Sequence, residues 1–240
     1  MILRLPLLSL SVACAVLMSA SRADDSAKVL FEDHFERSES TDDKEEIGMG
    51  WATNSRSRAA GNKQVDLKDG AMYISIHEAA DHAVSVTHPA EFRDGIVELR
   101  FMLEDRNDSL GLNFADLQLK EVHAGHLFMT KVSTRDVAIT DLKTGNMNLE
   151  IREARLNKTV TPKVQAMLKT KEKKFANPLQ TGQWHSLKVT VRGQTLTVAI
   201  DGRTVGEFSS EGMAHPTKRM LRLSVPRSAV VDDVKISSLD

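Results

Sequence analysis

Two histidines three apart, in His123-Ala124-Gly125-His126, are the residues of this chain best spaced for chemistry. Ala124-Gly125 reads as a turn, so both imidazoles can present at one mouth of a fold, with Asp116 close by in sequence. Imidazole titrates near neutral pH, and a His/His/Asp set can serve as acid and base or ligate a metal. His82 and His88 flank a further predicted strand. The alternative is a pair of turn histidines in water, because no third ligand has diagnostic spacing.

Three other sets carry chemistry. Glu32 and Asp33 stand near the start, and Asp232 and Asp233 near the end. If the first and last strands pair, these carboxylates meet, and calcium is the ion that clustered oxygens take. Alternatively they decorate exposed strand edges and discourage edge-to-edge pairing. Trp51 sits in a Gly-rich, polar neighbourhood with Asn54, Arg56 and Arg58, which makes Trp51, Asn54 and Arg56 a candidate sugar-binding set. An exposed ring there could stack on a sugar's C–H face; the alternative is a core tryptophan. Trp184 opens an alternating stretch and reads as a core anchor. Finally, Arg152, Arg155, Lys158, Lys163, Lys169, Lys171, Lys173 and Lys174 crowd one segment, which suits an anionic glycan. The competing reading is a solvated helix face with Glu150, Glu153 and Glu172 as partners.

Strands must position these groups. Leu187, Val189 and Val191 alternate with polar residues, and Leu196, Val198 and Ile200 repeat the pattern after a Gly-containing turn. Asp201-Gly202 then predicts a hairpin turning into Thr204–Phe208, and Lys68-Asp69-Gly70 predicts another between Gln64–Leu67 and Ala71–His77. Similar short runs recur at Val29–Phe35, Ala83–Thr87, Ile96–Leu103, Gly111–Leu119, His126–Val132, Asp136–Leu142, Arg219–Val225 and Val230–Ile236. Glu36–Glu46 is charged, rich in Ser and Thr, and predicts a mobile loop. The period changes after Asn146. Leu149–Asn157 favours helix, and Thr161-Pro162 predicts a capped start for a second helix carrying Val164, Leu168 and Phe175. Asn177-Pro178 closes a helical insertion over 146–177. A dozen short strands with one helical excursion predict an all-β fold, a two-sheet antiparallel β-sandwich or jelly roll.

Of 240 residues, 41% are hydrophobic and 27% charged, as in an ordinary globular domain. Arg4, the apolar run Leu5–Met18 and Ser19-Ala20-Ser21-Arg22-Ala23 predict a signal peptide over residues 1–23, hence a secreted or periplasmic protein with one domain over 24–240. The run is too short for a stable membrane span. Its loss removes Arg4, Arg22 and the lone cysteine Cys14, leaving 30 basic against 33 acidic residues. A thiol-free chain of that balance uses no disulfide, Cys nucleophile or Cys-ligated zinc, and it lacks the basic excess of nucleic-acid binders.

Phe31-Glu32-Asp33-His34-Phe35, Trp184-His185-Ser186-Leu187-Lys188-Val189 with Val198-Ala199-Ile200-Asp201-Gly202, and Val231-Asp232-Asp233-Val234 resemble the concanavalin A-like lectin/glucanase superfamily. They are most similar to secreted bacterial proteins of the 3-keto-disaccharide hydrolase group. The resemblance spans most of 29–238 and implies a carbohydrate-binding or glycan-processing protein; the insertion departs from a minimal member. Glucanases of the superfamily place Glu, Asp and Glu alternately on one strand. Here the nearest run, Glu98-Leu99-Arg100-Phe101-Met102-Leu103-Glu104-Asp105, puts Arg100 where the second carboxylate belongs. Carbohydrate binding without cleavage is therefore the leading expectation, a hydrolase centred on His123, His126 and Asp116 the second, and an adhesive envelope protein the third.

Overall fold

A computed structural model describes residues 27–240; the expected signal peptide falls outside them. Strands follow the predicted alternation. They are β1 (Lys28–Asp33), β2 (Ala52–Thr53), β3 (Val65–Lys68), β4 (Ala71–Ser75), β5 (Val84–Phe92), β6 (Gly95–Met102), β7 (Ser109–Ala115), β8 (His126–Ser133), β9 (Asp136–Asp141), β10 (Glu172–Ala176), β11 (Trp184–Arg192), β12 (Thr195–Ile200), β13 (Arg203–Ser209), β14 (Lys218–Val225) and β15 (Ser228–Ser238). Helices α1 (Ser55–Arg58), α2 (Leu149–Leu156) and α3 (Pro162–Lys169) lie in the connections. Among the described residues no helix is long and apolar enough to cross a membrane.

Two antiparallel sheets face each other. The first runs β13-β12-β11-β6-β15-β4-β3, with β1 also paired to β15; the second runs β10-β9-β8-β7-β14-β5-β2. Register carries the sequence pattern directly into the core. Val191, Val189 and Leu187 oppose Leu196, Val198 and Ile200, and Val189 and Leu187 oppose Val97 and Leu99 on the other flank. In the second sheet Leu221 and Leu223 oppose Phe114 and Leu112, and all are buried. Each such side chain stabilises the fold by roughly 1.5–3 kcal/mol on leaving water. Both predicted tight hairpins form. Asp69-Gly70 and Asp201-Gly202 have positive φ at both positions, as a two-residue turn matching strand twist requires.

Two elements differ from expectation. The insertion is not helical throughout: α3 stops at Lys169, and Glu172–Ala176 adds as strand β10 to β9. Phe175 thus leaves the predicted helix stripe and seats against Gly206 of β13, where a Cβ would come within 2.4 Å of its ring. An edge strand that also buries a phenyl ring outweighs the weak helix preference of five residues. The charged loop is also tied down. Glu45 accepts from Ser55 Oγ (2.6 Å) and the Gln64 amide (2.8 Å), while Glu39 accepts from the Leu67 amide (3.1 Å). It covers the edge of β3, whose backbone donors would otherwise stand open.

Candidate functional site

The outer face of the second sheet carries polar side chains at alternate positions. Arg222 and Ser224 of β14, Asn113 of β7, Met129 of β8 and Ser85 of β5 form the floor of a trough of about 410 Å³. Its walls come from connections: Asn54 and Arg58, His82, His123 and Met147. Met129 also lines a second depression of about 280 Å³, which continues across β8, β9 and β10 past Lys131, Thr140 and Lys174.

His126 is the centre of the first trough. Ala124 and Gly125 both have positive φ, and a Cβ on Gly125 would stand 2.3 Å from the Asp116 carbonyl oxygen. Only glycine lets this turn fold against the end of β7. The turn brings His126 Nδ1 to 3.0 Å from Asn113 Oδ1. Arg222 Nη1 lies 2.9 and 3.1 Å from the two ring nitrogens. With Nδ1 protonated and donating to Asn113, Nε2 keeps its lone pair for Arg222. Burial, then the charges of Arg222, His123 and His82, push the His126 pKa down to about 4, so the ring is neutral at pH 7. His123 lies exposed at the rim, its pKa lowered by burial and by Arg152. Burial alone lowers the Arg222 pKa.

Asp116 does not join the two histidines. Its amide meets the turn through Gly125 O (2.9 Å), but its carboxylate turns to His215 Nε2 (3.1 Å) and Arg219 Nε (3.3 Å). Burial pushes that carboxyl up; the His215 bond, the Gln118 amide and Arg219 outweigh it and hold the pKa below its usual value.

The other predicted sets separate. Trp51 is buried at 8% exposure, its indole donates to Asp33 Oδ2 (2.8 Å), and it packs among Phe31, Phe35 and His88. It is a core residue, because its N–H finds a buried carboxylate. Asn54 lines the trough, bonding Ala83 O (2.9 Å) and the Ser85 amide (2.9 Å), whereas Arg56 is exposed outside it and Arg58 takes the wall position. Trp184, read as core, is 37% exposed beneath the Arg100 guanidinium at 4.7 Å. β1 and β15 do pair, yet the four terminal acids do not fit a calcium ion. Arg37 forks onto both Asp33 oxygens (2.7 and 2.9 Å), Asp232 meets Arg100 (3.3 Å), and Asp233 meets His34 (2.6 Å). Only Glu32 keeps a loose contact, 3.7 Å from His34. Among the described residues no group of three His, Cys, Asp or Glu could hold a metal ion.

Arg222 and Asn113 escaped sequence reading. Each is an outward residue between inward leucines or phenylalanines, as any polar strand position is, and no spacing relates them. Among the described residues no Asp or Glu lines the trough, so these offer it no paired carboxylate chemistry. The second depression holds Asp136 and Glu172, but their register places them four residues apart along paired strands, about 13 Å at the usual strand rise. Glycosidase carboxyl pairs stand about 5–9.5 Å apart.

Residues 39–230 match the family described as 3-keto-alpha-glucoside-1,2-lyase-like domain. The chain belongs to that family. No curated protein sequence matches it. Among solved structures, the sandwich is similar to the laminarinase from Rhodothermus marinus at 11% identity and TM-score 0.58, covering 88% of this chain and 97% of that one. It is similar to the endo-beta-1,3-glucanase from Pyrococcus furiosus at 15% identity and TM-score 0.54, covering 88% and 94%. The carbohydrate-binding module CBM66 from Bacillus subtilis matches at 13% identity and TM-score 0.51, covering 77% and 93%. These likenesses establish a shared fold, the concanavalin A-like sandwich expected from the sequence.

Proposed function

We propose that this protein binds carbohydrate in the trough on the outer face of its second sheet and does not hydrolyse it. The observation that carries this reading is the trough itself: a cavity of a size suited to small ligands, in which Arg222, Asn113 and His126 are held against one another and which among the described residues no carboxylate lines. Structural neighbours whose names denote a carbohydrate-binding module and glucanases support it. The adjoining depression gives a longer glycan room to continue. The apolar segment Leu5–Met18 supports a secreted or periplasmic setting. The test is calorimetric titration with a panel of oligosaccharides, followed by chromatography of the recovered sugar. Saturable binding with the sugar intact is the expected result; shortened product would overturn it.

A second reading rests on the family match. A 1,2-lyase acting on a 3-keto-α-glucoside removes the C2 proton, which the C3 ketone acidifies; the electron pair forms C1=C2 and expels the C1 oxygen substituent, which leaves as an alcohol after protonation. His123, whose exposed ring lies at the trough rim, is positioned as the base, and Arg222 as the donor to the enolate oxygen. His126 is the weaker base, because both of its nitrogens have partners. The product is a conjugated enone, so growth of its ultraviolet absorbance with a 3-keto-α-glucoside, lost in His123→Ala, would favour elimination over binding.

A further inference from the structure

We propose that the sugar taken by this trough carries a carboxylate, and that Arg222 is the residue that pairs with it; this rests on the carbohydrate-binding reading above. Arg222 rises from the middle of β14, half-buried, with its Nη1 against the His126 ring and its Nη2 reaching only the Met220 sulfur at 4.0 Å. Among the described residues no carboxylate near it offsets the burial of its charge. Several half-buried cations elsewhere have one: Arg37 has Asp33, Lys63 has Glu39 and Asp66, Lys171 has Asp141 and Glu211, and Arg219 on the same strand has Glu91 and Asp116. Lys218, fully buried on that strand, has no carboxylate but donates to the carbonyls of Arg93 and His215, whereas Arg222 has no oxygen partner among the described residues.

A guanidinium withdrawn from water without a counter-charge is costly to the fold unless something else gains from it. Its surroundings supply no negative charge: His82, His123 and His126 line the trough with Arg58 and Arg222, and among the described residues no acidic one does. Arg58, at the wall, is balanced by Asp81 at 3.4 Å, so the uncompensated charge is the one on the floor. The neutral His126, itself held by Asn113, keeps the guanidinium in place without neutralising it. The planar fork of arginine matches a carboxylate in two parallel hydrogen bonds, which a hydroxyl cannot reproduce. A uronic acid unit would bring its hydroxyls to the polar lining and its carboxylate to Arg222.

The experiment compares oligomers of galacturonate, glucuronate and mannuronate with their methyl esters, which keep the sugar and lose the charge. Calorimetry at pH 7 should show one of the free acids binding roughly ten- to a hundredfold more tightly than its ester, as a charge-assisted fork predicts. Arg222→Gln should abolish that preference while the ester still binds. In the wild-type protein the acid should also shift the NMR signals of the His126 ring. Esters or neutral oligosaccharides binding as tightly as the acids would overturn the inference and leave the carbohydrate reading standing. Acid binding that leaves His126 unmoved would overturn it too, placing the anion on the lysine-rich α2–α3 segment. Failure of every sugar to bind overturns both. If Arg222→Gln does not fold, the acid-to-ester ratio and the His126 shift in the wild-type protein still decide.

Discussion

Acidification offers a direct test of the neutral His126 at the centre of the trough. Asn113 of β7 and Arg222 of β14 touch the ring, and His123 and His82 add positive charge from the flanking connections. Burial first, then these charges, hold its pKa at about 4, against an ordinary 6.5. The unfolded chain therefore takes up a proton as pH falls through 6.5, while the folded chain waits until about 4. The contribution to stability is complete above pH 6.5 and drains away between these two values. At pH 5 the linked loss is roughly 2 kcal/mol, with a ceiling near 3 kcal/mol below pH 4. Urea unfolding of the wild-type protein and His126→Gln at pH 7.5 and pH 5 isolates this group from the other histidines. The wild-type protein should lose about 2 kcal/mol more than the variant between the two pH values. Equal losses, or an NMR titration of the ring near its ordinary pKa, would refute the reasoning.

Other substitutions probe the supports of the fold. Gly212→Ala would put a Cβ 2.0 Å from Asp141 Oδ1, a carboxylate already bound by Thr144, Ser210 and the Gly212 amide. A loss of about 2–4 kcal/mol in chemical unfolding is expected. Gly206→Ala should lift Phe175 from its seat and cost about 1–3 kcal/mol, with hydrogen exchange rising first in β10. Asp33→Asn breaks the Arg37 fork and should cost about 3 kcal/mol at pH 7. Although burial raises the Asp33 carboxyl, Arg37, the Phe35 amide and Trp51 lower it further. The wild-type advantage over Asp33→Asn should therefore persist down to pH 3.8 and vanish only as pH falls through the lower folded-state value.

The sequence by itself determined the sandwich. Alternation at Leu187–Val191, Leu196–Ile200 and Leu221–Val225 leaves each strand one dry face, and Asp-Gly pairs at 69–70 and 201–202 dictate tight reversals. His123 and His126 were also legible, because a local turn brings them together. The tertiary structure decided everything that depends on distant partners. Asp33 found Arg37 and Trp51, Asp116 found His215 and Arg219, and Glu172–Ala176 found β9. Arg222 and Asn113 became a site with His126 only when β14, β7 and β8 lay side by side. A strand's own residues fix which face a side chain takes, but not which strand lies next to it. The counter-charge of a buried ion is set by that neighbour, so the sequence could place Arg222 on the outer face and could not reveal that the fold leaves it unpaired.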